Sequence, residues 1–171
     1  MRSALSLWKR ERSATSFEVI MEDVEIRLAG AADADPLMPL MQAFNADEAI
    51  PWRPDAMRAA FIELTGDPRL GFALVALAGG APVGYVVVTY GYDLEWAGRD
   101  AFVTELFVAA SARRRGIAHR LLREAEANAR RHDTHALHLV VRPANEAAMA
   151  LYRHAGFDVI PRVLITKVLV R

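Results

Sequence analysis

An apolar strand, Ala101–Ala109, runs into Ser111-Ala112-Arg113-Arg114-Arg115-Gly116-Ile117-Ala118 and then into a helix, Gly116–Arg131. That helix carries Ile117, Leu121, Leu122, Ala125 and Ala129 on one face, and a second apolar strand, Ala136–Val141, follows it. A strand, a helix and another strand in this order predict a right-handed parallel crossover. The turn before the helix points free backbone N–H groups at whatever lies in front of it, and the helix dipole adds positive potential there. Gly116 lets a backbone come close, Ala118 keeps the first helical turn slim, and Arg113, Arg114 and Arg115 add charge. A pyrophosphate suits such a turn. The plain alternative is an ordinary strand-to-helix connection with a solvated arginine cluster. The turn is neither a P-loop nor the dinucleotide fingerprint, because no Gly-Lys-Ser/Thr follows it and G-x-G-x-x-G is absent.

The rest of the chain supplies a sheet around this unit. Val24–Leu28 alternates apolar and charged residues and reads as a strand. Ala31–Phe44 is helical, with Leu37, Leu40, Met41 and Phe44 at helical spacing, and Pro54–Thr65 is a second helix with Gly66 just past its end. Gly71–Leu77 and Val83–Tyr90 flank Ala78-Gly79-Gly80-Ala81-Pro82 as a hairpin, and Tyr92–Arg99 reads as a polar and aromatic connection. Asn145–Ala155 is a helix stopped by Gly156, and Phe157–Ile160 and Val163–Val168 read as closing strands around Pro161. The order β-α-α-β-β-β-α-β-α-β-β predicts an α/β class domain, a mixed sheet with helices on both faces.

Length and composition narrow the possibilities. The chain has 171 residues, the size of one domain, and 53% of them are hydrophobic. A single domain over residues 21–171 is expected. Met1–Ile20 reads as a disordered extension, or as an early start with Met21 the true one; Lys9, Arg10, Glu11 and Arg12 stand where a signal peptide would have its apolar middle. No run is long and apolar enough to span a membrane, and a cytoplasmic chain is expected. The formal net charge is zero, which argues against a protein that coats nucleic acid. There is no cysteine, so disulfides, thiol catalysis and cysteine-held zinc are excluded. His132, His135 and His138 lie where a helix hands over to a strand and read as surface or core residues, with no metal site expected.

Three pieces in order resemble the GNAT superfamily of N-acetyltransferases. Its acetyl-CoA motif, Gln/Arg-x-x-Gly-x-Gly/Ala, is matched by Arg113-Arg114-Arg115-Gly116-Ile117-Ala118. Glu105-Leu106-Phe107-Val108 resembles the family's fourth strand, and Asn145 through Tyr152 to Gly156-Phe157 resembles the helix after its fifth. The close resemblance covers Phe102–Phe157. It implies a mostly antiparallel central sheet of about seven strands, helices on both faces, and a splayed parallel pair at its centre. It also implies acetyl-CoA as co-substrate, held at Arg113–Ala118 and by backbone groups of Leu106, Phe107 and Val108.

Acetyl transfer to an amine needs a base, an oxyanion donor and a leaving-group acid, because an alkyl ammonium with a pKa near ~10.4 must lose a proton before it attacks a thioester. Glu105 sits within an otherwise apolar strand, on the side expected to hold Val103 and Phe107. It is the candidate base, with burial expected to raise its pKa; the alternative is a structural carboxylate tied to an arginine or to backbone N–H groups. The resemblance implies that splaying of the fourth and fifth strands leaves N–H groups near Leu106–Val108 free for the thioester. Asn145 and Tyr152 are two helical turns apart on one face, which the resemblance sets against coenzyme A. Tyr152 is the candidate acid, or else a packed aromatic; Asn145 holds the pantetheine arm, caps the helix, or does both.

The acceptor is expected near the first helix–helix connection and Tyr92–Arg99. Asp47, Glu48, Asp93 and Glu95 offer charge for a cationic amine, and Tyr92, Trp96 and Trp52 offer walls, although each also reads as an ordinary loop residue. The expected partner is a small-molecule or peptide amine, with no nucleic acid and no membrane, and a homodimer is left open. Two other classes compete: a coenzyme-binding sensor without catalysis, and a nucleic-acid binder using the arginine cluster.

Overall fold

The computed structural model describes residues 24–169. The expectations for Met1–Ile20 therefore lie outside the described residues. The chain divides into two compact units, one ending at Val140 and one starting at Val141.

The first unit is a five-stranded sheet in the order β1-β2-β3-β4-β5, with β1 Val24–Leu28, β2 Gly71–Ala78, β3 Ala81–Asp93, β4 Gly98–Val108 and β5 Thr134–Leu139. The pairs from β1 to β4 are antiparallel and β4 pairs with β5 in parallel, which gives the mixed sheet its class. The helices of this unit are α1 Ala34–Asp47, α2 Pro54–Gly66 and α3 Ile117–Arg131. The connection expected at Tyr92–Arg99 is shorter, because β3 continues to Asp93 and β4 begins at Gly98.

Side-chain alternation along β3 assigns the two faces. Tyr85 and Val87 join Leu37 and Met41 of α1, Phe61 of α2, Ala73 and Val75 of β2 and Phe107 of β4 in one buried cluster. Gly84 points the other way, where a Cβ would meet the Leu121 side chain of α3 and crowd the Phe107 carbonyl. Helices thus cover both faces. The buried face of α3 holds Ile117, Leu121, Leu122, Ala125 and Ala129, together with Asn128. No helix among the described residues is long and apolar enough to cross a membrane.

The second unit carries α4, Glu146–His154, which ends at Gly156 with a φ of +87°. The sequence reading of closing strands at Phe157–Ile160 and Val163–Val168 is corrected here: neither segment is a strand, so the sheet has five strands among the described residues rather than about seven. These residues have β-branched and apolar side chains, but a strand requires a hydrogen-bonded partner, and among the described residues none pairs with them. Val163 and Ile165 are 85% and 87% exposed, where a paired and covered strand would bury them.

Asn145 caps α4: its Oδ1 accepts the Ala148 N–H at 3.1 Å. Asn145→Ala is expected to destabilise this helix by about 1 kcal/mol. Faster hydrogen exchange at the Ala148 amide, largely restored in Asn145→Ser, is the measurement that checks it.

Candidate active site

The central feature lies on β4. In the antiparallel ladder with β3, Tyr85 is opposite Phe107, Val86 opposite Leu106 and Val87 opposite Glu105, and then the register shifts so that Val88 is opposite Val103. Thr104 is the extra residue, a β-bulge. Residues directly opposite share a face, so Glu105 shares its face with Phe107, Tyr85 and Val87. Val103, expected on the same side, is turned to the face of α3 with Val88, because the bulge reverses the alternation before Glu105.

The same point on β4 ends its pairing with β5. The parallel ladder runs from Arg99 with Thr134 to Val103 with Leu139 and goes no further, whereas β4 continues to Val108. The two central strands therefore part immediately before the bulge. From Glu105 to Val108, β4 is paired to β3 on one edge and, among the described residues, to no strand on the other. Backbone groups on that edge lack a strand partner, and one of them, the Val108 carbonyl, accepts Arg113 Nε. Leu106 is half-buried, and Phe107 and Val108 are buried.

Glu105 is partly buried, and its Oε2 accepts the Tyr85 hydroxyl at 2.6 Å. Burial pushes its carboxyl above the ordinary range, and the Tyr85 hydrogen bond pulls it part of the way back. Burial, and then the neighbouring carboxylate, push the Tyr85 phenol far up, so it remains a proton donor at any working pH. Tyr85 was not among the residues singled out in the sequence. Its signal is a tyrosine within the apolar run Val83–Val88, and its meaning depends on a cross-strand register that the sequence does not display.

Beyond Val108 the chain turns through a short 3-10 segment, Ala110–Ala112, into the arginine run. Arg114 has φ +61° and Gly116 φ +72°, both in the left-handed region. An exposed arginine in that conformation is strained, and alternating left-handed residues turn successive N–H groups toward one concavity. Gly116 is the N-cap of α3 and gives it no side-chain cap, so the amides of the first turn face outward unfilled by the protein's own side chains. A Cβ built on Gly116 would meet nothing within 4 Å. Ile117 is buried and Ala118 partly so, anchoring the turn while Arg114, Arg115 and Gly116 remain exposed.

Arg113 differs from its two neighbours. Its Nε donates to the Val108 carbonyl at 3.0 Å, its guanidinium lies 5.3 Å from the centre of the Phe107 ring, and its Nη2 meets Asp47 Oδ2 at 3.2 Å. It pins the end of β4 to the end of α1, so Arg114 and Arg115 are the run's outward-facing cations. Asp47 and its neighbour Glu48 thus stand at the Val108 end of β4.

Tyr92 and Trp96 stand at the opposite end of that strand, around the β3–β4 turn. Tyr92 is 76% exposed. The Trp96 carbonyl contacts His135 Nδ1 at 2.8 Å, and its ring is 5.8 Å from that of His138. Asp93 accepts the Glu95 N–H within the turn, and Trp52 packs against the core cluster of α1 and α2. The structure therefore separates the sequence-predicted acceptor residues into two groups instead of bringing them together. His138 also approaches Asp100 at 3.7 Å, and among the described residues no group of three or more His, Asp and Glu is placed to hold a metal ion.

In the second unit, Tyr152 lies on α4 with its ring edge-on to Phe157, 5.9 Å between centres and 62° between planes. Asn145 has the capping role described above.

Comparison with known proteins points to the same arrangement. The fold matches an integron cassette protein from the mobile metagenome of Cole Harbour Salt Marsh with a TM-score of 0.77, at 28% identity over 91% of this chain and 95% of that one. It matches the aminoglycoside N-acetyltransferase AAC(6')-Iy, solved with CoA, with a TM-score of 0.75, at 18% identity over 86% and 95%. It also matches a ribosomal-protein-alanine N-acetyltransferase from Brucella melitensis biovar Abortus 2308 with a TM-score of 0.71, at 23% identity over 85% and 99%. No curated protein sequence matches significantly. A family model described as the acetyltransferase (GNAT) family matches residues 37–157, from within α1 to just past α4, with the bulged strand and the glycine turn between. The splayed β4–β5 pair, the uncapped helix and that match agree: the chain belongs to the GNAT family of acetyltransferases.

Proposed function

We propose that this protein is an acetyl-CoA-dependent N-acetyltransferase that moves an acetyl group to a primary amine of a small molecule or peptide by direct attack on the thioester. The observation that carries the reading is Glu105, a partly buried carboxylate held above its ordinary pKa at the point where β4 and β5 separate.

The turn suits acetyl-CoA on the protein's own geometry. Open space in front of Gly116, the uncapped start of α3 and the outward Arg114 and Arg115 form a cradle for a pyrophosphate. The free edge of β4 from Leu106 to Val108 offers backbone groups to the pantetheine arm and to the thioester oxygen. The co-substrate supplies an acetyl carbon activated by a thiol leaving group. Glu105 takes the proton that the acceptor ammonium must lose, directly or through a water, and a raised pKa brings it nearer the pH at which it works. The departing thiolate takes up a proton, and Tyr152 is the candidate donor that the resemblance of Asn145–Phe157 to the family's helix supplies.

A cationic acceptor fits the acidic residues best, with Asp47 and Glu48 at one end of β4 and Asp93 and Glu95 at the other. Aminoglycosides and peptide N-termini are the acceptor classes that the names of the structural neighbours suggest. The test is thiol release from acetyl-CoA by the purified chain against a panel of aminoglycosides, polyamines, amino acids and N-terminal peptides. Release with one amine class supports the reading and names the acceptor. Saturable acetyl-CoA binding without release on any amine favours the coenzyme-binding sensor instead.

A further inference from the structure

We infer that Tyr85 is the positioning residue for the base: its hydroxyl holds one oxygen of the Glu105 carboxylate and leaves the other to take the acceptor's proton. The inference rests on the reading of Glu105 as base.

Tyr85 is fully buried on β3 among Val86, Val87 and Val88. A phenol in such a place costs free energy unless its hydroxyl is bonded. Its partner is Glu105 Oε2 at 2.6 Å, the short distance of a bond to a charged acceptor. Glu105 Oε1 has no hydrogen-bond partner among the described residues.

The phenol cannot swing away. Its ring packs 6.4 Å from that of Phe107, within the cluster that includes Leu37, Met41 and Phe61. The bulge at Thr104 sits directly before Glu105, so the carboxylate is fixed against β3 where β5 has already departed. One oxygen is thus turned to the protein's interior and held there, and the strand edge beside it is open.

Other charges on the elements of this face are engaged elsewhere. Asp35 of α1 pairs with Arg58 of α2, and Asp47 pairs with Arg113. Glu48, Asp55 and Glu63, with Asp33, Arg53 and Asp67 at the helix ends, complete the charges of the two helices, and none of them shifts Glu105; burial and Tyr85 alone do. The hydroxyl therefore opposes the rise that burial imposes on the carboxyl.

Tyr85→Phe keeps the ring and removes only the donor. A carbon-13 NMR titration of the side-chain carboxyls of the full chain, with Glu105 assigned through Glu105→Gln, reads the effect without any acceptor. The Glu105 midpoint is expected to rise by about one to two pH units, the value of one hydrogen bond to a charged group. In thiol release, the acidic limb of the pH–rate profile is expected to move up with it while acetyl-CoA affinity is unchanged. A Glu105 midpoint that stays at the parent value overturns the inference. Should Tyr85→Phe fold poorly, site-specific 3-fluorotyrosine at position 85 provides a stronger donor. It is expected to lower the midpoint, and an unmoved midpoint there also overturns the inference. Failure of the underlying reading looks different: Glu105→Gln then releases thiol with the parent's rate and pH profile, which removes the base itself and this role of Tyr85 with it.

Discussion

Glu105→Gln is expected to lower turnover on the order of 10²- to 10⁴-fold, the usual contribution of a positioned general base. The replacement is isosteric, and its amide oxygen still accepts the Tyr85 hydroxyl, so the fold and the acetyl-CoA turn are expected to be intact. The pH dependence supplies the sharper signature. Burial raises the Glu105 carboxyl, so the parent's activity is expected to climb as pH rises through that elevated value, where the carboxylate forms. The variant loses that limb. Stability moves in the opposite sense. A carboxyl whose pKa is higher in the folded than in the unfolded chain carries no cost below the unfolded value and its full cost above the folded one. Glu105→Gln is therefore expected to be at least as stable as the parent at neutral pH, an advantage that fades in acid. Chemical denaturation at pH 7 and at acid pH, beside rate profiles, checks both halves. A variant with parent-like rates across pH removes Glu105 from the chemistry.

Gly116→Val is the second large effect, and here the cost falls on binding. A Cβ added there meets nothing within 4 Å beyond its chain neighbours and the backbone of its own helix, so the first added carbon is accommodated. The left-handed φ of +72° remains, and a β-branched residue there costs on the order of 1–3 kcal/mol. A fall in melting temperature of a few degrees is the expected trace of that strain. Acetyl-CoA affinity is expected to drop roughly 10- to 100-fold, as one charge-assisted hydrogen bond to the pyrophosphate is displaced. Gly116→Ala, with the same backbone penalty in milder form and less bulk in the cradle, is expected to lie between parent and valine variant. Calorimetry on all three separates strain from occlusion, because unchanged affinity in a folded Gly116→Val places the ligand elsewhere.

Periodicity made much of this site legible. The apolar face of α3 and the strand at Val24–Leu28 are local patterns; the structure keeps every apolar residue of that helix face buried and keeps the strand's bounds, although Leu28 at its end is exposed. The glycine turn was legible because chain order alone puts an arginine run between a strand and a helix. The bulge at Thr104 was not, since alternation assumes an unbroken ladder, and one extra residue sent Val103 to the other face from Glu105. Tyr85 was invisible for a related reason. A hydroxyl on β3 means little until the register places it beside a carboxylate twenty residues on. Arg113 shows the limit of motif reading: the turn matches as a whole, yet this side chain is drawn back to Val108 and Asp47 by contacts across the fold. At the C-terminal end, β-branched composition suggested strands, but composition cannot provide the partner strand that pairing requires.

The most direct test of the account is calorimetric titration of the purified chain with acetyl-CoA, using desulfo-CoA as competitor. Saturable binding at one site per chain, weakened by Gly116→Val and unaffected by Glu105→Gln, is the predicted result. Absence of binding heat from a folded chain, or binding indifferent to Gly116→Val, would contradict the assignment of the β4–α3 turn as the coenzyme site.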